Sequence, residues 1–242
     1  MERGDCYVKA ENHDRFLAEQ IEYYRARANE YDEWFFRQGR YDRGPELNQR
    51  WFEEIETLRD EIDRFKPAGE ILELACGTGI WTQYLVHFAD KITAVDASPE
   101  VMTVNRERTK SEKVEYVAAD LFNWQADKKF DVVFFAFWLS HVPPERFASF
   151  WKSVEKALKP QGRVFFIDSR FEQTSTANNH VLDEPQDTVI KRRLNDGREF
   201  NIVKVFYQTK DLEDKLRDLG WKIKVENTPQ YFLYGQGTIK TA

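Results

Sequence analysis

The sequence predicts an α/β fold in which a mostly parallel β-sheet is covered by helices on both faces. Between residues 70 and 168, strand-like segments alternate with helix-like segments, the pattern of successive strand–helix–strand units. The run from Val132 to Phe137 is continuously apolar, as expected for a central strand that is buried on both sides. A short connection through Pro229 joins the last two predicted strands, which makes that pair antiparallel.

Apolar periodicity and turn residues place the elements of the central region. The predicted strands are Glu70–Leu74, Ile92–Asp96, Val114–Ala118, Asp131–Ala136 and Arg163–Asp168. The helices predicted between them are Trp81–Phe88, Pro99–Thr109 and Glu145–Leu158. This doubly wound arrangement brings the carboxyl ends of the parallel strands to one edge of the sheet, where ligands bind in such folds.

The flanking regions have their own patterns. Residues 1–12 are polar and expected to be loose, and apolar steps of three and four predict helices over residues 14–35 and 47–65. Residues 170–187 are loop-like, and Asn195-Asp196-Gly197 predicts a β-hairpin after the fifth strand. We therefore expect a single domain with four parts: residues 1–66, 67–169, 170–208 and 209–242. The last part holds a helix and the final pair of strands.

Composition excludes several classes of protein. The 242 residues carry a formal net charge of −6 without a long basic run, so we expect no nucleic-acid partner. The longest apolar run is too short to span a bilayer and the N-terminus lacks a signal-peptide pattern, so we expect no membrane association. Cys6, Cys76 and four scattered histidines have no metal-ligand spacing, so no metal is expected. A cytoplasmic monomer or homodimer is the simplest expectation.

The most informative segment is the predicted strand that runs into Ala75-Cys76-Gly77-Thr78-Gly79. Gly77 and Gly79 remove side chains where the backbone must bend sharply and approach a ligand. The start of the following helix offers unpaired N–H groups and a partial positive charge. Glu73, before the turn, can accept hydrogen bonds from a cationic amine.

Two acidic residues follow the second and third strands. Asp96, with Ala97 beside it, can bind two ribose hydroxyls because a carboxylate offers two acceptor oxygens. Its alternative role is to cap the helix that begins near Pro99. Asp120 can accept a hydrogen bond from an adenine amino group, and Leu121 can cover the face of the ring.

In this order, the motifs resemble those of the class I methyltransferases that use S-adenosylmethionine (SAM). The resemblance covers about residues 70–168, including Phe130–Val133, the segment Phe137–Pro143 and the turn Leu158–Arg163. It implies a Rossmann-like seven-stranded sheet whose last strand is antiparallel. Members of the family often have glycine at the position of Ala75, and a single methyl group there should be tolerable.

The resemblance implies transfer of the SAM methyl group by direct in-line displacement, leaving S-adenosylhomocysteine (SAH). Residues 1–66 are then a helical lid, and residues 170–208 form the acceptor side. In this interpretation Tyr24, Tyr31 and Phe137 contact SAM near its methionine end. His141 is the candidate general base, needed only if the acceptor arrives protonated.

The acceptor is expected to be a small molecule. Trp138, His141, Arg192 and Arg193 are the candidate substrate-binding residues. For each there is an ordinary structural alternative: core packing for Trp138, a loop histidine bonded to backbone for His141 and a solvated basic hairpin for the two arginines. His180 and His87 have no partner pattern and are expected at the surface.

Two other functions remain open at this point. A nicotinamide oxidoreductase would use a degraded form of the dinucleotide fingerprint, but the third glycine is absent and Glu73 would repel a pyrophosphate. A non-catalytic SAM-binding module would need no acceptor site. Methylation of nucleic acid or protein is disfavoured by the net negative charge and by the lack of an appended binding domain.

Overall fold

The fold is organised around one mixed sheet and a separate hairpin. The computed structural model describes residues 3–182 and 188–240. The strands are β1 (Gly69–Leu74), β2 (Ala89–Asp96), β3 (Val114–Ala118), β4 (Phe130–Ala136), β5 (Leu158–Ser169), β6 (Val189–Arg193), β7 (Glu199–Val203), β8 (Trp221–Asn227) and β9 (Phe232–Ile239). The helices are α1 (Arg3–Ala26), α2 (Tyr31–Phe35), α3 (Pro45–Phe65), α4 (Thr82–Leu85), α5 (Pro99–Thr109), α6 (Phe147–Ala157) and α7 (Thr209–Asp218).

The main sheet has seven strands in the order β3-β2-β1-β4-β5-β9-β8. Neighbouring strands from β3 to β5 pair in parallel, and β9 is antiparallel to both β5 and β8. The predicted seven-stranded Rossmann-like sheet with an antiparallel last strand is therefore confirmed. Strand β1 pairs with β2 on one side and β4 on the other, so the crevice between β1 and β4 is the point where such folds bind ligands.

The central strands are buried on both faces. In β4, Phe134 belongs to an apolar cluster that includes Trp51 and Ile55 of α3. The next residue, Phe135, belongs to a second cluster with Trp151 of α6 and Leu212 of α7. Alternate side chains of a strand point to opposite faces, so the apolar run predicted as a central strand packs against helices on both sides.

The N-terminal helix and the hairpin form a separate wall beside the sheet. Helix α1 packs against β7, where Tyr23 contacts Leu194 and Ile202. The side chain of Gln20 accepts a hydrogen bond from the Val203 backbone N–H at 3.1 Å and donates one to the His141 carbonyl at 3.4 Å. These bonds attach α1 to the hairpin and to the segment that follows β4.

Some predicted boundaries are wrong. Residues 3–12 are helical rather than loose, because lysine, alanine and glutamate there favour a helix. The predicted helix over residues 14–35 is broken between Ala26 and Tyr31. Strand β5 begins at Leu158, earlier than predicted, with an irregular register opposite Phe130. Predictions that fall on residues 1–2, 183–187 and 241–242 lie outside the described residues.

None of the helices that the structure describes is long and apolar enough to cross a membrane.

Gly237 of β9 gives a direct test of the packing between β9 and β8 at the edge of the sheet. A methyl group at this position would overlap the Lys222 carbonyl oxygen of β8, which is backbone and cannot move away independently. We expect Gly237→Ala to lower the free energy of unfolding by roughly 2 kcal/mol or more, because overpacking displaces the backbone. Urea denaturation followed by circular dichroism measures this. The neighbouring half-buried Gln236→Ala is the control, and equal stability of the two variants would contradict the described β8–β9 register.

Candidate functional site

A cavity of about 740 Å³ opens at the carboxyl ends of β1, β2, β3 and β4. The sequence-predicted residues that line it are Tyr24, Tyr31, Ala75, Gly77, Asp96, Ala97, Asp120, Leu121, Phe137, Trp138 and His141. Helix α1 covers the cavity through Leu17, Gln20 and Ile21. The fold therefore brings residues that are more than a hundred positions apart to one crevice.

Gly77 and Gly79 are needed in the glycine-rich turn for different reasons. A methyl group at Gly77 would meet no atom within 4 Å, so this backbone faces open space in which a ligand can approach. At Gly79 a methyl group would lie 2.5 Å from the Asn105 side-chain oxygen, so this glycine allows close packing of α5. Ala75 has the left-handed angle φ = 54°, which explains why glycine is common at the equivalent position in the family that the motif resembles.

Asp96 organises this turn from the end of β2. Its carboxylate accepts hydrogen bonds from the backbone N–H groups of Gly77 and Ser98, each at 2.9 Å. The N-cap of α5 is Ser98, whose hydroxyl accepts a hydrogen bond from the Val101 N–H. The capping role considered for Asp96 therefore belongs to Ser98. Burial raises the pKa of Asp96, although these hydrogen bonds act in the opposite direction.

Asp120 has a similar arrangement after β3. One carboxylate oxygen accepts from the Phe122 N–H at 3.0 Å and the other from the Asn123 side-chain amide at 2.7 Å. Both acids thus shape the loop on which they lie and also line the cavity.

Glu73 lies deeper, in a smaller cavity that also contacts Ala75, Gly77, Tyr31 and Phe137. The side chain is 2% exposed, and its Oε2 atom has no hydrogen-bond partner among the described residues. Burial, with the nearby Asp96 charge, raises the pKa of Glu73 to about 8, while a hydrogen bond from Thr82 opposes the shift. An unpartnered buried carboxyl group is costly, so this oxygen is suited to receive a cationic donor.

Phe137 occupies an unusual backbone conformation directly after β4. Its φ angle is 56°, a rare value for a bulky residue that often marks a functional site. Its N–H donates to the Ile167 carbonyl at 2.8 Å, and its ring packs edge-on against Trp34. The sequence predicted Phe137 as a site residue without indicating this conformation.

A second cavity, of about 590 Å³, adjoins the first. The two cavities share Tyr24, Tyr31, Phe137 and His141. The second also contains three cationic side chains that come from distant parts of the chain, Arg27, Arg192 and Lys204. Of these, sequence reasoning predicted only Arg192. It missed Arg27, which lies one helical turn after Tyr23 and Tyr24 on the same face, and Lys204, which follows the second strand of the hairpin.

Among the described residues, few acidic side chains lie near these cations. Lys204 lies 3.6 Å from Asp168 and donates to the Ser140 hydroxyl at 2.8 Å. Both Asp168 oxygens also accept backbone hydrogen bonds, from Ser140 and Ser169. In the described part of the chain, neither Arg27 nor Arg192 forms an ion pair. Burial lowers the pKa of Lys204 to about 8, with Asp168 opposing the shift. The described residues that line the cavity include three cationic side chains and no carboxylate.

Tyr24 and His141 meet where the two cavities join. The Tyr24 hydroxyl lies 2.8 Å from His141 Nε2, and His141 Nδ1 lies 2.7 Å from the Val203 carbonyl oxygen. Burial lowers the pKa of His141 well below its usual range, and the charges of Lys204, Arg192 and Arg27 act in the same direction. The imidazole is therefore neutral.

A clamp fixes α2 to the glycine-rich turn. The Asp32 carboxylate accepts a hydrogen bond from the Thr78 hydroxyl at 2.6 Å and pairs with the Arg108 guanidinium. Arg108 also donates to the Thr78 carbonyl at 2.6 Å. The clamp holds the N-terminal helices over the first cavity, and no short motif in the sequence predicted it.

Not every predicted residue reaches a cavity. The Arg193 side chain is exposed on the hairpin and lines neither of the two cavities, and Gly79 supports the turn from behind. His180, expected at the surface, is 9% exposed and accepts a hydrogen bond from the Arg193 N–H at 3.1 Å. Within residues 3–182 and 188–240, no group of three or more His, Cys, Asp or Glu side chains is placed to hold a metal ion.

Comparison with known proteins identifies the family. Residues 71–162 match a family model described as a methyltransferase domain. The structure of DhpI in complex with SAH is 36% identical, with a TM-score of 0.74, over 94% of this chain and 98% of DhpI. The chain belongs to the class I SAM-dependent methyltransferases. A DhpI–SAM–HEP complex is 38% identical, with a TM-score of 0.73, over 91% of this methyltransferase and 96% of DhpI.

Curated relatives match a shorter region of the methyltransferase. A ubiquinone biosynthesis O-methyltransferase from Pseudoalteromonas translucida (strain TAC 125) is 31% identical over 137 residues, which are 50% of this chain and 57% of the relative. An uncharacterized methyltransferase from Staphylococcus carnosus (strain TM300) is 30% identical over 104 residues, 43% of this chain and 49% of the relative. The chain thus spans about half the length of these relatives. Together the matches support SAM, rather than a nicotinamide dinucleotide, as the cofactor.

The raised pKa of Glu73 makes stability depend on pH. The folded protein holds this proton up to about pH 8, whereas the unfolded chain releases it near pH 4.3. The contribution of Glu73 is therefore most favourable below pH 4.3 and is lost as the pH rises through 8. Because glutamine does not titrate, the free energy of unfolding of Glu73→Gln minus that of wild type should increase by roughly 3 kcal/mol from pH 5 to pH 8.

Urea denaturation of both proteins at the two pH values measures this difference. The isosteric amide keeps the packing, so a constant stability difference would mean that Glu73 is ionised in the folded protein.

Proposed function

We propose that this methyltransferase transfers the SAM methyl group to a small acceptor that carries an anionic group, by direct in-line displacement. The observation that carries the proposal is the cationic cavity beside the predicted cofactor cavity. A site for a small anion next to the glycine-rich turn is what transfer to such an acceptor requires, since the two reactants must lie close together in one orientation.

The residues of the first cavity, with Glu73 of the smaller cavity beside it, would hold SAM. Glu73 would pair with the SAM amino group, because its Oε2 atom has no hydrogen-bond partner among the described residues. Asp96 would hold the ribose hydroxyls, and Asp120 with Leu121 would hold the adenine. The open space at Gly77 leaves room for the cofactor to approach the backbone. When bound, SAM supplies an electrophilic methyl group on a sulfonium ion.

The second cavity would hold the acceptor. Arg27 and Lys204 are 8% and 7% exposed, and a cation that is shielded from water binds an anion more strongly than an exposed one. Ser169 and Thr176 also line this cavity and can donate hydrogen bonds to an acidic group. The DhpI–SAM–HEP complex supports this interpretation, since a related protein holds SAM together with a third component.

We expect methyl transfer to occur where the two cavities adjoin. Tyr24, Tyr31, Phe137 and His141 border both cavities, so the methyl group would pass between them. Trp138 would contact the cofactor side, where it lines the first cavity. Helix α1 would exclude water from both ligands. The catalytic role of His141 as a general base stays a prediction from sequence.

Cofactor binding should release a proton. At pH 6.5 Glu73 is mainly protonated in the free protein, and a bound amino group would favour its ionised form. We expect roughly one proton to be released for each SAH molecule bound at this pH. Calorimetric titration in two buffers of different ionisation enthalpy gives the number of protons.

The matched control is Glu73→Gln, which should bind SAH more weakly and release no proton. Equal proton release by both proteins would show that Glu73 does not receive the amino group.

The function is tested with pairs of small acceptors, each an acid and its neutral amide. With SAM present, we expect SAH to form with acids and not with the amides. Arg192→Met should raise the KM of a turned-over acid roughly 10- to 100-fold, since a charge-assisted hydrogen bond contributes about 1.5–3 kcal/mol. Arg193→Met tests the sequence prediction for the neighbouring arginine separately.

Lys191→Met is the control, because Lys191 lies on the same strand with its side chain 65% exposed and paired with Glu199. Equal turnover of acids and amides, or no effect of Arg192→Met, would refute the anionic acceptor.

A further inference from the structure

Asn105 of α5 lies directly behind the glycine-rich turn, and its side chain is completely buried. The side-chain nitrogen is 3.3 Å from the Cys76 carbonyl oxygen, 3.2 Å from the Gly77 carbonyl oxygen and 2.8 Å from the Thr82 hydroxyl. A carbonyl oxygen can only accept a hydrogen bond, so the NH2 group of Asn105, and not its oxygen, must face the turn. The orientation of this amide is thereby fixed.

The other end of the Asn105 side chain agrees with this orientation. Its oxygen accepts hydrogen bonds from the Tyr116 hydroxyl at 2.8 Å and from the Thr109 hydroxyl at 3.0 Å. The same oxygen would lie 2.5 Å from a methyl group at Gly79, so the glycine leaves the room that Asn105 occupies. Both polar atoms of the amide therefore have partners, as a buried amide requires.

Thr82 connects Asn105 to Glu73. The Thr82 hydroxyl oxygen accepts a hydrogen bond from Asn105, which leaves its single proton for the hydrogen bond to Glu73. Because Glu73 Oε2 has no hydrogen-bond partner among the described residues, the Thr82 proton must lie on Oε1. One carboxyl oxygen is thus used inside the protein, and the other is left for a ligand.

The described groups around Glu73 offer it no positive charge. The titratable groups that face it are Asp96 of β2, Tyr31 of α2, Cys76 of the turn and Tyr116 of β3. Burial raises the pKa of Tyr31, Cys76 and Tyr116, so these three groups are neutral near pH 7. Thr82 is the one described group that lowers the pKa of Glu73, and without its hydroxyl the carboxyl should ionise less readily.

We propose that Asn105 and Thr82 are positioning residues that direct one hydrogen bond to Glu73 Oε1 and so reserve Oε2 for the amino group of SAM. This inference rests on the proposed function. Near neutral pH the free protein then carries the Glu73 proton on Oε2, and this proton leaves when the amino group binds. Neither Asn105 nor Thr82 lines the first cavity or the smaller one, so both act through Glu73 and the turn.

Calorimetric titration with SAH between pH 6 and pH 9 tests the proposal. Thr82→Val keeps the shape of the side chain and removes the hydroxyl. At pH 6.5 it should lower the SAH affinity roughly 10-fold, because Glu73 must ionise on binding without a charge-assisted hydrogen bond. At pH 9 the loss should be smaller, since Glu73 is then largely ionised before binding. The amino group of SAH itself titrates equally in both experiments.

Three further variants separate this role from packing. Thr82→Ser keeps the hydroxyl and should keep the wild-type pH profile. Thr93→Val is the matched control, because Thr93 is also buried, on β2, and its hydroxyl has no partner among the described residues. Asn105→Asp replaces the donor with a group of the same size that accepts the Thr82 proton. Its pH-dependent loss of affinity should be smaller in the Thr82→Val background than in wild type.

The outcomes separate the two proposals. If Thr82→Val changes the SAH affinity by the same factor at every pH, its role is purely structural. If it raises the affinity at pH 6.5, Glu73 donates to Thr82 rather than accepting from it. Either result overturns the positioning role and leaves the proposed function unaffected. If the wild-type protein binds no SAH at any pH, the proposed function itself fails.

Discussion

Burial of the central strands on both faces constrains where polar chemistry can occur in this protein. Val132, Val133, Phe134 and Phe135 are almost completely inaccessible to water. A charged group in the middle of β4 would lose its hydration without finding a partner, at a cost of several kcal/mol. The two acids of the first cavity, Asp96 and Asp120, accordingly lie at or just after the ends of β2 and β3, and the parallel arrangement gathers those ends along one edge.

The same constraint explains why a glycine-rich turn and two acids can form a cavity although they are far apart in sequence. Each lies at or just after the carboxyl end of a parallel strand, so the register of the sheet sets their relative positions. Asp96 then connects β2 to the turn after β1 through the Gly77 N–H. Through this bond the turn and the acid stabilise each other's conformation.

The sequence alone predicted the part of the site that depends on local patterns. Gly77, Asp96 and Asp120 are recognisable because a strand, a turn and a helix follow each other within a few residues. The position of the hairpin after the fifth strand was also predictable, from its Asn195-Asp196-Gly197 turn. These features are encoded by neighbours along the chain, which is where sequence patterns are most informative.

Features that depend on tertiary contacts were not predictable in this way. Lys204 reaches the second cavity because the chain turns inward directly after β7. The left-handed backbone of Phe137 and the clamp of Asp32, Thr78 and Arg108 leave no periodic pattern in the sequence. The burial of His180 was also missed, because its hydrogen bond from the Arg193 N–H joins residues from separate segments of the chain.

The two cavities differ in their relation to the family. The matched region, residues 71–162, contains the turn and both acids of the first cavity, whereas Arg27, Arg192 and Lys204 of the second lie outside it. Helix α1 and the hairpin contact each other more closely than they contact the central strands, so they can vary together during evolution. If the second cavity holds the acceptor, as proposed, acceptor choice can diverge among descendants of one ancestor without changes in the glycine-rich turn.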